Sequence, residues 1–176
     1  MDEICKFLGH PVPMPLTGNV DASVQLYDFG YIDSDGVLWL TLRGDITDGR
    51  SGPRFLDGLI DHPYYNPRGM FLHDSAYAWQ QGPRKACDRM MREVMEVTDY
   101  GGVKRKLFYF FVDRCGGKAY RDQDPEDVCR YDLIPHEILN QPSDLMIPPK
   151  YRELVAARRK ELFDGFPAQH DLSLEA

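Results

Sequence analysis

The sequence predicts an α+β domain, a small N-terminal antiparallel β-hairpin or sheet packed on three to four helices, with an antiparallel helix pair at its centre. Three observations predict it. Two apolar runs rich in β-branched and aromatic residues, from Val24 to Phe29 and from Val37 to Leu42, flank Asp33-Ser34-Asp35-Gly36, whose Asp and Gly suit a tight turn. Two helix-forming stretches, Met70 to Gln80 and Pro83 to Val97, are joined only by the Gly82-Pro83 junction, and so short a connection makes them antiparallel neighbours. Gly101-Gly102 then sets off a third helix, Val103 to Cys115.

Taken in order, residues 1–20 carry Pro11, Pro13, Pro15 and Gly18 and are expected to form an extended arm unable to hold regular ladders. The core domain is expected over residues 21–121. Within it, Gly44 to Gly58 is rich in Gly, Asp, Ser and Thr around Pro53, so periodic structure should stop there and a surface loop begin. The second helix opens with Pro83 at a tolerated first-turn position. The third is expected to end at Gly116-Gly117. Residues 122–176 form a C-terminal extension packed on the core, acidic and proline-punctuated, with one amphipathic helix from about Pro149 to Phe163. Its Leu154, Val155, Leu162 and Phe163 supply an apolar stripe, while Arg158, Arg159 and Lys160 face out or bind a partner. The tail after Gly165 is expected to fray.

Composition narrows the function classes. With 176 residues, 43% of them hydrophobic and 28% charged, one sizeable core is expected rather than two, and wholesale disorder is excluded. Lys and Arg number 21 against 28 Asp and Glu, a net charge of −7, so the general electrostatic footprint of a nucleic-acid binder is missing. The longest apolar run, Leu107 to Val112, falls far short of the roughly 20 residues a membrane span needs, so no transmembrane segment is expected. Cys5, Cys87, Cys115 and Cys129 show no C-x-x-C pairing, and the chain opens with acidic Asp2 and Glu3, which favours a reducing compartment. No P-loop, Gly-x-Ser-x-Gly elbow or zinc-spaced Cys/His set occurs.

One cluster stands out. At 3.6 residues per turn His73 and Tyr77 share a helix face, with Asp74 about a quarter-turn away. On the second helix Asp88, spaced helically from Met91 and Met95, should point inward toward the first. A buried carboxylate needs a partner, and His73 and Tyr77 are those within reach across the joint. Asp88 would then fix the imidazole tautomer and leave Asp74 for another task. The segment from Gly44 to Arg54 before the helices offers backbone carbonyls, two carboxylates and a hydroxyl, hard oxygen donors of the kind calcium takes, though not at EF-hand spacing; a solvated turn held by Asx hydrogen bonds is the alternative. Equally, His73, Asp74, Tyr77 and Asp88 can be a satisfied polar network that only ties loop to helices. Cys87, beside this group on an apolar face, reads as core.

Thr47-Asp48-Gly49-Arg50-Ser51-Gly52-Pro53-Arg54, then His73-Asp74-Ser75-Ala76-Tyr77, then Arg84 to Met91 with Ala86-Cys87-Asp88, then the aromatic third helix, resemble in order and spacing the phage and prophage family known as domain of unknown function 1353. The resemblance covers about residues 40 to 120; Arg50 stands where that family has a small residue and Cys87 where it has Ala. The His-Asp-x-x-Tyr helix followed by an Asp-bearing helix also resembles the core of phospholipase A2, with Met70, Phe71, Leu72 and Ala76 where the secreted enzymes carry flanking cysteines. That second resemblance implies His73 as general base, Asp74 as a calcium ligand together with Asp48, Gly49, Ser51 and Gly52, and Asp88 with Tyr77 as the support of the histidine.

Two functional classes follow. One is a phage or prophage hydrolase of lipids or other esters, assisted by calcium and resembling phospholipase A2. The other is a non-catalytic virion structural or accessory protein in which the same network is only structural, its partners being other phage proteins met in the virion or the host cytoplasm.

Overall fold

A computed structural model of the chain describes residues 6–16, 22–47, 67–99, 101–122 and 129–165. The architecture is α+β, as the sequence predicts: two three-stranded antiparallel sheets followed by helices. Strands β1 (Lys6–Leu8), β4 (Phe29–Ile32) and β5 (Leu38–Thr41) make one sheet in the order β1-β4-β5, and β2 (Pro13–Pro15), β3 (Ser23–Gln25) and β6 (Ile46–Thr47) make the other in the order β2-β3-β6.

The predicted hairpin is β4 and β5, paired from Phe29 with Thr41 to Ile32 with Leu38. Its turn is held by Asp33, whose Oδ1 accepts the backbone N–H groups of Asp35 (3.0 Å) and Val37 (2.8 Å) and whose Oδ2 accepts the Trp39 indole N–H (2.8 Å). Gly36 takes the φ of +79° that closes the turn. The run from Val24 to Phe29 does not remain one strand: β3 leaves it for the other sheet before β4 begins.

The proline-rich start holds two short ladders, contrary to the expectation that it could hold none. Lys6 pairs with Ile32 and Leu8 with Gly30, while Pro13 pairs with Gln25 and Pro15 with Ser23. Both strands lie at sheet edges, where proline's missing N–H costs no ladder bond.

Helices α1 (Pro67–Ala78) and α2 (Arg84–Val97) form the predicted central pair. α1 stops where Gln80 adopts φ +43°, and α2 where Asp99 adopts +55°, left-handed residues that end a helix much as glycine usually does. Helix α3 (Gly102–Asp122) corrects the sequence expectation, since it runs straight through Gly116-Gly117. Gly116 serves close packing instead: a Cβ there would lie 2.6 Å from the Tyr77 hydroxyl oxygen. A one-turn helix α4 (His136–Leu139) and α5 (Arg152–Asp164) complete the described chain.

The apolar faces meet in clusters centred on Leu40, Leu42 and Trp79 against Val155 and Leu162, on Tyr31, Trp39, Leu72 and Met90, and on Met70, Met91, Met95 and Phe108. In α5, Val155 and Leu162 are buried as expected, but Leu154 is exposed. Nor do Arg158 and Arg159 simply face solvent. Arg158 Nη2 donates to the Gln81 carbonyl (2.8 Å) and Arg159 Nη1 donates to the Ser143 hydroxyl beside buried Asp28, so both fasten α5 to the body. Among the described residues no helix is long and apolar enough to cross a membrane.

Candidate functional site

His73 lies midway along α1 and Asp88 in the second turn of α2, each close enough to the joint to meet the other. His73 Nε2 lies 3.3 Å from Asp88 Oδ1. Tyr77, one turn beyond His73, donates its hydroxyl to the same oxygen at 2.5 Å, and the two rings lie tilted at 45° with centroids 4.1 Å apart. The spatial pairing expected from helix periodicity is therefore present. An ionised carboxylate only accepts, so the proton in the His73 contact belongs to Nε2.

The sequence did not place Arg84 in this group. Yet its Nη1 donates to Asp88 Oδ2 (3.1 Å) and to the carbonyls of Val112 (3.4 Å) and Asp113 (3.1 Å) on α3. The four-residue spacing of Arg84 and Asp88 was the signal that could have found it. Asp88 is fully buried, and three side chains on two helices satisfy it.

The opposite edge of the imidazole is different. His73 Nδ1 is buried and has no hydrogen-bond partner, standing 3.8 Å from Asp74 Oδ1. Burial opposes a charge on the ring, but Asp74 and Asp88 on its two sides outweigh it and hold the histidine's pKa above its ordinary value. Burial, then Asp88, pushes the Tyr77 phenol far up, so it stays a donor. Cys87 packs as core: burial and then Asp88 raise its thiol to about 12, which removes it as a nucleophile at neutral pH.

Asp74 points the other way, toward β6, where the Thr47 hydroxyl donates to its Oδ2. Its register is set from below by Asp45, a fully buried carboxylate. Asp45 accepts the backbone N–H of Leu42 (2.9 Å), the Ser75 hydroxyl (2.6 Å) and the Trp79 indole N–H (3.0 Å). Trp79, just past the end of α1, lies one turn beyond Ser75 and donates its backbone N–H to the Ser75 carbonyl (3.0 Å), so these bonds fix how the helix is rotated against β6, and that rotation presents His73 and Asp74. Burial lifts Asp45 to about 7 against the opposing pull of its three donors, with the Asp28 carboxylate adding to the rise.

The oxygens of Asp74 and Thr47 are hard donors, a chemistry that fits calcium as far as it goes. Two side chains do not make a cation cage, and no group of three or more His, Cys, Asp or Glu able to hold a metal occurs among the described residues. The loop residues Asp48, Gly49, Ser51 and Gly52, expected from the resemblance to complete a calcium site, lie outside the described residues.

Fold and site together define an α+β protein whose sheets present a helix pair stitched by a buried His-Asp-Tyr-Arg network. The chain belongs to the family described as protein of unknown function (DUF1353), whose model matches residues 25–112 and so spans every residue of that network. It is also similar to the uncharacterized protein y4iH of Sinorhizobium fredii, 32% identical over 101 residues, an alignment that takes in 52% of this chain and 40% of that protein. The chain thus spans less than half the length of this relative. No solved structure matches.

Proposed function

We propose that the protein is a hydrolase of lipids or other esters in which His73 Nδ1 is the general base. One observation carries this reading: Asp88 occupies Nε2 and orients the ring, while Nδ1 makes no hydrogen bond and lies 3.8 Å from a second carboxylate, Asp74. That division suits a histidine that must take a proton from water and be stabilised as imidazolium while it holds it.

In the proposed reaction Nδ1 removes a proton as the water oxygen bonds to the ester carbonyl carbon. Asp88 then faces the charged ring through Nε2, and Tyr77 and Arg84 keep that carboxylate in place. Collapse breaks the bond to the alcohol oxygen, which leaves with the proton held on Nδ1. A calcium ion bound by Asp74 with oxygens of residues 48–52 would supply positive charge for the carbonyl oxygen. The raised proton affinity of His73 gives the sign of the pH dependence, because the base works only when neutral: activity should rise as pH passes above the ordinary histidine value. By resemblance alone, we also assign the protein to phages or prophages, acting in the virion or the host cytoplasm.

A second reading has its own observation. His73 is only 2% exposed and Asp88 0%, so the network also suits a staple inside a non-catalytic virion or accessory protein. One experiment separates them: assay hydrolysis of phospholipid and short-chain esters, with calcium and with a chelator, using wild type and His73→Ala. The hydrolase reading expects a cation-dependent activity lost in His73→Ala while cooperative unfolding persists. Activity unchanged in that variant, or a wild type inert on both ester classes, would overturn it.

A further inference from the structure

The charge of this acidic chain is unevenly distributed. Residues 84–122, the α2 and α3 hairpin, hold ten Lys or Arg against six Asp or Glu, a net charge of +4 inside a chain of net −7. The acidic members are largely engaged from within: Asp88 by Arg84, Asp113 by Lys85, Glu96 by Arg105, Asp122 by Lys118, and Glu93 by Tyr31 and Ser34. Arg89, Arg92, Lys106 and Arg114 are exposed and carry no ion pair among the described residues.

The same hairpin exposes large apolar side chains. Val97 is 48% exposed, Phe110 52% and Val103 83%, three of the six large hydrophobics left exposed among the described residues. Val103, Lys106, Phe110 and Arg114 follow one another at three- and four-residue steps, so they form a single stripe along the outer face of α3, which Arg121 continues two turns further on. Cation and ring are interleaved: the Arg114 guanidinium lies 5.4 Å from the centre of Phe110, and that of Arg92 5.3 Å from the centre of Tyr109. The inner face of the helix, Phe108 and Val112, is already buried against Met91 and Met95.

We infer that the outer face of α3, with the adjoining cations of α2, docks on a bilayer surface bearing anionic headgroups. The cations match the lipid charge, and the aliphatic and aromatic side chains between them would enter the boundary between headgroups and acyl chains. Val97 and Val103 cannot stack on bases, and their exposure beside Phe110 favours a lipid surface over a nucleic acid. This face needs nothing from His73, so the inference goes beyond the hydrolase proposal and stands apart from it.

The test is sedimentation of the full chain with vesicles of phosphatidylcholine alone and of phosphatidylcholine mixed with phosphatidylglycerol. Wild type should partition onto the mixed vesicles only, and less so in high salt. The pairs Lys106→Glu with Arg114→Glu, and Val103→Ser with Phe110→Ser, should each weaken partitioning by about tenfold. Leu154→Ser, an apolar site on α5 that is 47% exposed, should change nothing, and His73→Ala should bind as wild type whatever it does to hydrolysis. Failure of wild type to bind the mixed vesicles would overturn the inference. So would full binding by the Val103→Ser, Phe110→Ser protein, or an equal affinity of wild type for single-stranded RNA, which would mark a polyanion surface instead.

Discussion

The Tyr77 hydroxyl of α1 occupies the space that a Cβ on Gly116 of α3 would need. A Cβ at position 116 would stand 2.6 Å from that oxygen and 3.6 Å from the Arg84 guanidinium, whereas at Gly117 its nearest neighbour would be the end of Arg121 at 3.6 Å. Helix α3 can therefore close over the His73 network because of one missing methyl group.

From this contact comes a paired prediction. Gly116→Ala should destabilise by about 1–3 kcal/mol through overpacking, despite alanine's better helix propensity. Gly117→Ala, free of that clash, should be neutral or gain up to about 1 kcal/mol. Chemical denaturation of both variants checks the pair, and equal effects would show that the glycines matter only for helix propensity.

Stability should also fall as pH rises. Asp45 is raised to about 7 in the fold from the ordinary 3.8, so the native state holds its proton more tightly. Its contribution is complete below pH 4 and is lost as pH climbs to about 7, at roughly 1.4 kcal/mol per pH unit of that window. His73, also raised, adds a loss of the same sign that begins above its ordinary value of 6.5. Unfolding free energies at pH 5 and pH 8 should therefore differ more in wild type than in Asp45→Asn, even though the substituted amide costs stability at both by meeting the three donors now aimed at the carboxylate.

The free edge of β5 is covered by a side chain. Gln81 Oε1 accepts the Leu40 N–H (2.9 Å) and its Nε2 donates to the Leu40 carbonyl (2.5 Å), the two bonds a neighbouring strand would have made. Gln81→Ala should cost about 1–3 kcal/mol by orphaning both backbone groups and should make the protein more prone to aggregate. Light scattering on heating, compared with wild type, measures the second effect.

How far the sequence could be read depended on range. The His73, Tyr77 and Asp88 grouping was legible because it needs only helix periodicity and a short connection, both local properties. The hairpin turn was legible from Asp33 and Gly36 for the same reason. Asp45 was not, since a carboxylate between Gly44 and Thr47 looks like loop until Trp79 and Ser75 are seen to converge on it from a helix thirty residues away. Gly116 was misread as a helix stop because glycine marks an end and a close approach equally well, and only the partner, Tyr77, tells them apart. Arg158 and Arg159 look like a solvated face until the Gln81 carbonyl and Ser143 are placed beneath them.

At the centre stands the assignment of the imidazole, with Nε2 bound to Asp88 and Nδ1 free to act as base. Nitrogen-15 NMR of the His73 ring, followed across its titration, reads this directly. The neutral ring should carry its proton on Nε2 with Nδ1 bare, and Asp88→Asn should perturb the Nε2 signal most. A neutral ring protonated on Nδ1, or one indifferent to Asp88→Asn, would contradict the account.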